Sequence, residues 1–137
     1  MNRTRVLVAD DLAPMLSAVA DLLQDSFDLL PMVSDGQSAL DSAQALEPDL
    51  VILDISMPIL NGIEVARELK SRASQAKIVF LTIQEDSDII AACVAAGGMG
   101  YVFKSQMFTD LVPAINEVLA GRSFLSRRSH QLNIRKR

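Results

Sequence analysis

The sequence has few of the residues that staple or specialise a small fold. Cys93 is the only cysteine in 137 residues, so no intrachain disulfide forms and no cysteine cluster can hold a metal. His130 is the only histidine, and it lies in the basic C-terminal stretch, away from other metal-ligating types. Ser-His-Asp hydrolysis therefore has no histidine to recruit from the folded core. Tryptophan is absent and only 4% of residues are aromatic, so aliphatic side chains and alanine must fill the interior. No apolar run approaches the roughly 18 residues that cross a bilayer, and the N-terminus shows no leader pattern. The expectation is a cytoplasmic protein with no membrane partner. Cys93, inside the apolar stretch 91–96, reads as a packed core thiol.

Half of the residues are hydrophobic, enough at this length for one domain with a core of its own. The net charge of −4 hides an asymmetry. Residues 1–121 carry 17 acids against 7 bases, whereas 122–137 carry six bases and no acid: Arg122, Arg127, Arg128, Arg135, Lys136 and Arg137. The division expected is a domain over 1–121 followed by a basic tail or linker stub over 122–137. A domain this acidic repels phosphate backbones, so nothing in 1–121 favours nucleic acid.

Strand and helix signals alternate along the chain. Short apolar runs predict strands at 5–10, 27–33, 50–53, 77–82 and 100–104, the second weakened by Pro31. Helical spacing predicts helices at 12–25, 36–46, 62–72, 86–96 and 108–120. Pro14 and Pro113 are each placed in a first turn, and Asn61 with Glu64 has the spacing of a capping box. Gly97-Gly98 ends one helix and Gly121 another. Five strands alternating with five helices imply a three-layer α/β sandwich around a parallel sheet.

Four of the apolar runs end in a polar group suited to phosphoryl chemistry. Asp10-Asp11 follow the first strand, Asp54 the third, Thr82 the fourth and Lys104 the fifth. In an open parallel sheet these carboxyl ends form one edge, where ligands bind. Three carboxylates so close together call for a cation, and an all-oxygen donor set suits Mg2+. Lys104 adds a second positive charge, and Thr82 with strand-end amides offers donors to phosphoryl oxygens. Asp54, on the most apolar of the early strands, is the expected nucleophile, forming an aspartyl phosphate.

With Met57-Pro58 and Asn61-Gly62 after Asp54, and Tyr101 three residues before Lys104, the chain resembles the receiver domain of bacterial two-component response regulators over about 3–121. The stretch Gly121-Arg122-Ser123-Phe124-Leu125-Ser126 is similar to receivers joined to helix-turn-helix domains of the NarL/FixJ type. The resemblance implies the flavodoxin-like strand order 2-1-3-4-5. It implies that Asp54 takes its phosphoryl group from a sensor histidine kinase. It implies that Asp11, Asp54 and the Ser56 backbone carbonyl bind Mg2+ or Mn2+, with Asp10 acting mostly through water. The Ser56 and Ile83 amides would hold phosphoryl oxygens and Lys104 would pair with them. Thr82 would swing towards the phosphoryl group and Tyr101 would follow inward. That shift would remodel an output face over 86–120, which could also form a homodimer.

Two positions depart from the pattern. Ile83 stands where receivers often carry a small residue, and Ser105 stands where they often carry proline, leaving a cis peptide unsupported. Three other functions compete. One is a stand-alone receiver acting on a partner without DNA binding, and another a docking module that is never phosphorylated. The third is an Asp-nucleophile phosphatase, which needs a second Asp at the position of Ser56 and does not have it.

Overall fold

The computed structural model describes residues 3–127. The basic residues Arg128, Arg135, Lys136 and Arg137, and His130, lie outside the described residues. In chain order the elements are β1 (Arg5–Ala9), α1 (Ala13–Leu23), β2 (Asp28–Leu29), α2 (Gly36–Leu46), β3 (Leu50–Leu53) and α3 (Gly62–Ser71). They continue with β4 (Lys77–Thr82), α4 (Ser87–Ala95), β5 (Gly100–Phe103), a 3-10 turn (Lys104–Gln106), α5 (Met107–Leu119) and β6 (Phe124–Leu125). The sheet order is β2-β1-β3-β4-β5-β6, with every pairing parallel. The expected order 2-1-3-4-5 is present, with one strand more.

Alternation along each central strand divides the core in two. Leu7, Val51, Leu53, Ile78, Phe80 and Tyr101 face α2, α3 and α4. Val6, Val8, Leu50, Ile52, Val79 and Val102 face α1 and α5. Both faces are covered, which is why these strands read as continuous apolar runs. Cys93 is 1% exposed, and burial pushes its thiol up to about 12, so it packs as an inert core group.

Local chemistry fixes the helix starts. Asp35 caps α2, accepting from the Ser38 amide at 2.7 Å and from its hydroxyl at 2.9 Å. These bonds favour the carboxylate and lower its pKa. Asn61 and Glu64 close the predicted capping box on α3.

The structure corrects the sequence reading in three places. The strand expected at 27–33 shrinks to two residues, with one further bridge between Ala9 and Val33. Its donors to β1 step from Asp28 and Leu30 to Val33, so an extra residue is accommodated around Pro31, which has no amide to give. Pro113 lies inside α5, not in its first turn, because the helix already begins at Met107. Lacking an N–H, Pro113 leaves the Thr109 carbonyl without its usual helical donor. Finally, the sheet does not stop at the fifth strand. Phe124 and Leu125 pair with Gly100 and Tyr101, and Ser126 is 3% exposed, so ordered packing extends past residue 121.

Candidate functional site

The carboxyl ends of β1, β3, β4 and β5 converge. Asp54 donates its amide to the Ala9 carbonyl at 3.0 Å, which places it beside Asp10. The Asp10 amide is held by the Val33 carbonyl at 3.1 Å, and Asp10 Oδ1 accepts from the Leu12 amide at 2.9 Å. Gly62 lets the loop after β3 close over this corner. A Cβ there would run into the Asp54 carbonyl oxygen.

Carboxylate oxygens of Asp10, Asp11 and Asp54 all lie within 4.8 Å of one another. Asp10 and Asp54 are buried, whereas Asp11 is exposed and opens the cluster to solvent. Lys104, the first residue after β5, reaches in with its side chain 8% exposed. Its Nζ lies 2.8 Å from Asp10 Oδ2 and 3.3 Å from Asp54 Oδ2. Burial alone would lower the lysine's pKa, but the two carboxylates outweigh it and raise it, so the group stays an ammonium. Asp54 is raised above the ordinary carboxylate range, first by burial and then by the Asp10 charge. Lys104 and the Ser56 amide oppose the rise without cancelling it.

Among the described residues one ammonium is thus set against three carboxylates, and Asp10 Oδ2 has no partner beyond its 2.8 Å contact with Lys104 Nζ. A buried acceptor of this kind, in a cluster built only of oxygen donors, fits a hard divalent cation such as Mg2+.

Thr82 and Tyr101 meet through a group the sequence did not point to, the backbone of Gln84. Thr82, fully buried, accepts the Gln84 amide on Oγ1 at 3.2 Å. Tyr101 donates its hydroxyl to the Gln84 carbonyl at 3.0 Å. The tyrosine ring is 3% exposed and packs edge-on against Phe103 at 5.8 Å, so it already occupies an inward position. Burial raises its pKa and keeps the hydroxyl a donor. Ile83 and Ser56 are exposed at the rim. The peptide before Ser105 is trans, as are all peptides among the described residues.

A wide depression of about 1010 Å3 opens at the opposite edge of the sheet, lined by Arg3, Arg5, Glu47, Asp49, Arg72 and Lys77 among others. Its arginines are engaged locally: Arg5 with the Leu46 and Glu47 carbonyls, Arg3 with those of Gln24 and Phe27. The acidic cluster lies apart from this depression, at the carboxyl ends of the strands.

The sequence profile of the response regulator receiver domain matches residues 6–116. The chain is 33% identical over 119 residues to the transcriptional regulatory protein LnrK of Bacillus subtilis, covering 85% of this chain and 54% of that protein. It is 38% identical over 112 residues to the transcriptional regulatory protein PdtaR of Mycobacterium tuberculosis, covering 81% and 54%. The chain therefore spans about half the length of these relatives. Among solved structures, a LuxR-family two-component response regulator from Aurantimonas sp. SI85-9A1 superposes with a TM-score of 0.88. That pair shares 27% identity, covering 95% of this chain and 94% of that one. The signal receiver domain of a NarL response regulator from Mycobacterium tuberculosis gives 0.83 at 26% identity, covering 89% and 100%.

Proposed function

The chain belongs to the response regulator receiver family of two-component systems, and on that footing we propose that Asp54 is its phosphoacceptor, charged by a sensor histidine kinase. The single observation that carries the reading is the Lys104 ammonium seated between Asp10 and Asp54. A spectator lysine would extend into water, because burying a charge is costly unless its partners need it.

An Asp54 carboxylate oxygen attacks the phosphorus of a phosphohistidine. The new O–P bond forms as the P–N bond breaks, and its electron pair returns to the imidazole. Asp11, Asp54 and the Ser56 carbonyl, with Asp10 beside them, would hold a Mg2+ or Mn2+ ion, which would neutralise charge on the phosphoryl oxygens. Lys104 transfers its pairing from the carboxylates to those oxygens, and the amides of Ser56 and Ile83 donate to them. Catalysis here is positioning and charge stabilisation, so the protein accepts and loses a phosphoryl group without turning over a free substrate.

A swing of Thr82 towards the phosphoryl group would stretch or break the bond it accepts from the Gln84 amide. Because Tyr101 holds the other end of the same residue, the rearrangement passes to the 86–120 surface, which serves as output face and as a possible homodimer contact. The output is transcriptional, through a DNA-binding domain not contained in these residues, and the setting is cytoplasmic. Two observations favour this over a stand-alone receiver: the relatives are transcriptional regulators, and the chain matches about half of each.

The test is incubation with phosphoramidate and Mg2+, then borohydride reduction and peptide mapping. An acyl phosphate at Asp54 is reduced to homoserine at that position alone. Reduction elsewhere, or none, would sink the assignment.

A further inference from the structure

The stretch 121–126, similar to receivers joined to DNA-binding domains, has no part in the chemistry above, yet the fold buries its last residue. Ser126 is 3% exposed and uses its hydrogen-bonding capacity on both sides of Lys104. Its amide donates to the Tyr101 carbonyl at 2.9 Å. Its Oγ accepts the Phe103 amide at 3.2 Å and donates to Asp110 Oδ2 at 2.7 Å. Phe103 is the last residue of β5 and Asp110 lies in the first turn of α5, so one hydroxyl joins the elements that bracket the lysine. A second tie runs beside it, from Gln106 Nε2 to the Arg127 carbonyl at 2.7 Å. Without this segment, the outer edge of β5 would present an unpaired carbonyl at Tyr101 and an unpaired amide at Phe103.

We infer that Ser126, together with Asp110, is a positioning residue for Lys104. It fixes the β5–α5 corner from which the ammonium is extended over Asp10 and Asp54. The inference rests on the phosphoacceptor reading and deepens it. A bond from a hydroxyl to a carboxylate is stronger than a neutral one, which makes this bridge the firmest of the four ties. One consequence is regulatory. Whatever draws residues 124–127 off the sheet edge loosens the seat of the lysine, so the fate of the segment leaving the domain and the phosphoryl chemistry are linked.

The experiment is a mutant cycle in the full chain, Ser126→Ala against Lys104→Ala, with Ser126→Thr as the conservative rescue. Three readouts are followed: the phosphorylation rate at saturating phosphoramidate, Mg2+ affinity by calorimetry, and the order of the Lys104 Cε group by NMR. Ser126→Ala is expected to lower the saturating rate by about three- to tenfold, in keeping with the loss of one charge-assisted hydrogen bond acting through the lysine. Mg2+ affinity stays within about twofold because the acids are untouched. The Lys104 Cε order falls, and Ser126→Thr restores both rate and order. In the Lys104→Ala background the Ser126 change has no further effect on rate. An equal drop with and without the lysine, or no drop in wild type, would overturn the inference, since a merely structural serine acts regardless of Lys104. If Ser126→Ala does not fold, Asp110→Asn, which keeps the shape and loses the charge, takes its place in the cycle. If the wild type accepts no phosphoryl group, the function reading fails. The Cε order, which needs no phosphodonor, then decides the positioning claim alone.

Discussion

Replacing Lys104 with methionine removes the one cation that, among the described residues, pairs with the acidic cluster, while keeping most of the side chain's volume. At 3.3 Å from Asp54 and 2.8 Å from Asp10, the pairings are worth about 5 and about 6 kcal/mol of gross attraction at an effective dielectric of about 20. Desolvation of the buried groups offsets much of this, and breaking a buried pair from one side costs about 3 kcal/mol net. That cost depends on pH in a stated direction. Asp54 is already above the ordinary carboxylate range because of burial and Asp10, and Lys104 is one of the groups holding it down. Without the lysine it rises further, and the folded state escapes the penalty by binding a proton. A carboxyl whose folded pKa is raised costs stability in its ionised form, so the penalty is complete above the folded pKa and fades as pH falls towards the unfolded value. Urea denaturation of wild type and Lys104→Met should therefore differ by about 3 kcal/mol at pH 8 and by clearly less near pH 5. Mg2+ should stabilise the variant more than the wild type, because it replaces the missing charge. A difference that is the same at both pH values would refute the reasoning. So would one below about 0.5 kcal/mol, the size of an exposed ion pair.

Other outcomes follow from the same geometry. Asp54→Asn removes an ionised group that burial and Asp10 disfavour, so without a cation it should stabilise the fold at neutral pH while abolishing phosphoryl acceptance. Urea midpoints compared with and without Mg2+ check this, and the gain should vanish when Mg2+ saturates the wild type. Ile59 has a φ of 72°, a left-handed backbone that a β-branched residue strongly disfavours, and its side chain is 75% exposed. Ile59→Asn should raise the melting temperature, with a gain of about 1 kcal/mol. Ile83 is 72% exposed beside Thr82 at the rim of the site. Ile83→Ala should speed phosphorylation by acetyl phosphate, and equal rates in the two proteins would remove Ile83 as a barrier to small donors.

Most of the scaffold was legible because strands covered on both faces leave a simple trace. The apolar runs ending at Ala9, Leu53, Thr82 and Phe103 are the strands observed, and Asp10, Asp11, Asp54 and Lys104, just beyond three of them, converge because parallel strands all finish at one edge. The capping box of Asn61 and Glu64 was legible for a similar reason, since both partners sit within one turn. What escaped was whatever depends on backbone groups or distant pairing. The Thr82–Gln84–Tyr101 link runs through a peptide group, which carries no residue-type signal. β6 is only two residues long and lies between basic residues, so its apolar content cannot be told from loop, and its pairing with β5 is purely tertiary. Helix propensity puts Pro113 in a first turn, because a proline deeper in a helix is disfavoured; the turn at Lys104–Gln106 leads straight into α5 and starts it earlier. The bond from Ser126 to Asp110 spans sixteen residues and is visible only once the helix has folded back on the sheet.

Cation-dependent phosphoryl acceptance by Asp54 is tested most directly by intact-mass spectrometry. Wild type and Asp54→Asn would be incubated with phosphoramidate, each with Mg2+ or with chelator. The expected result is one added phosphoryl group on the wild type with Mg2+, little with chelator, and none on the variant. Equal incorporation into both proteins, or incorporation indifferent to chelation, would contradict an acceptor site built from Asp10, Asp11, Asp54 and Lys104.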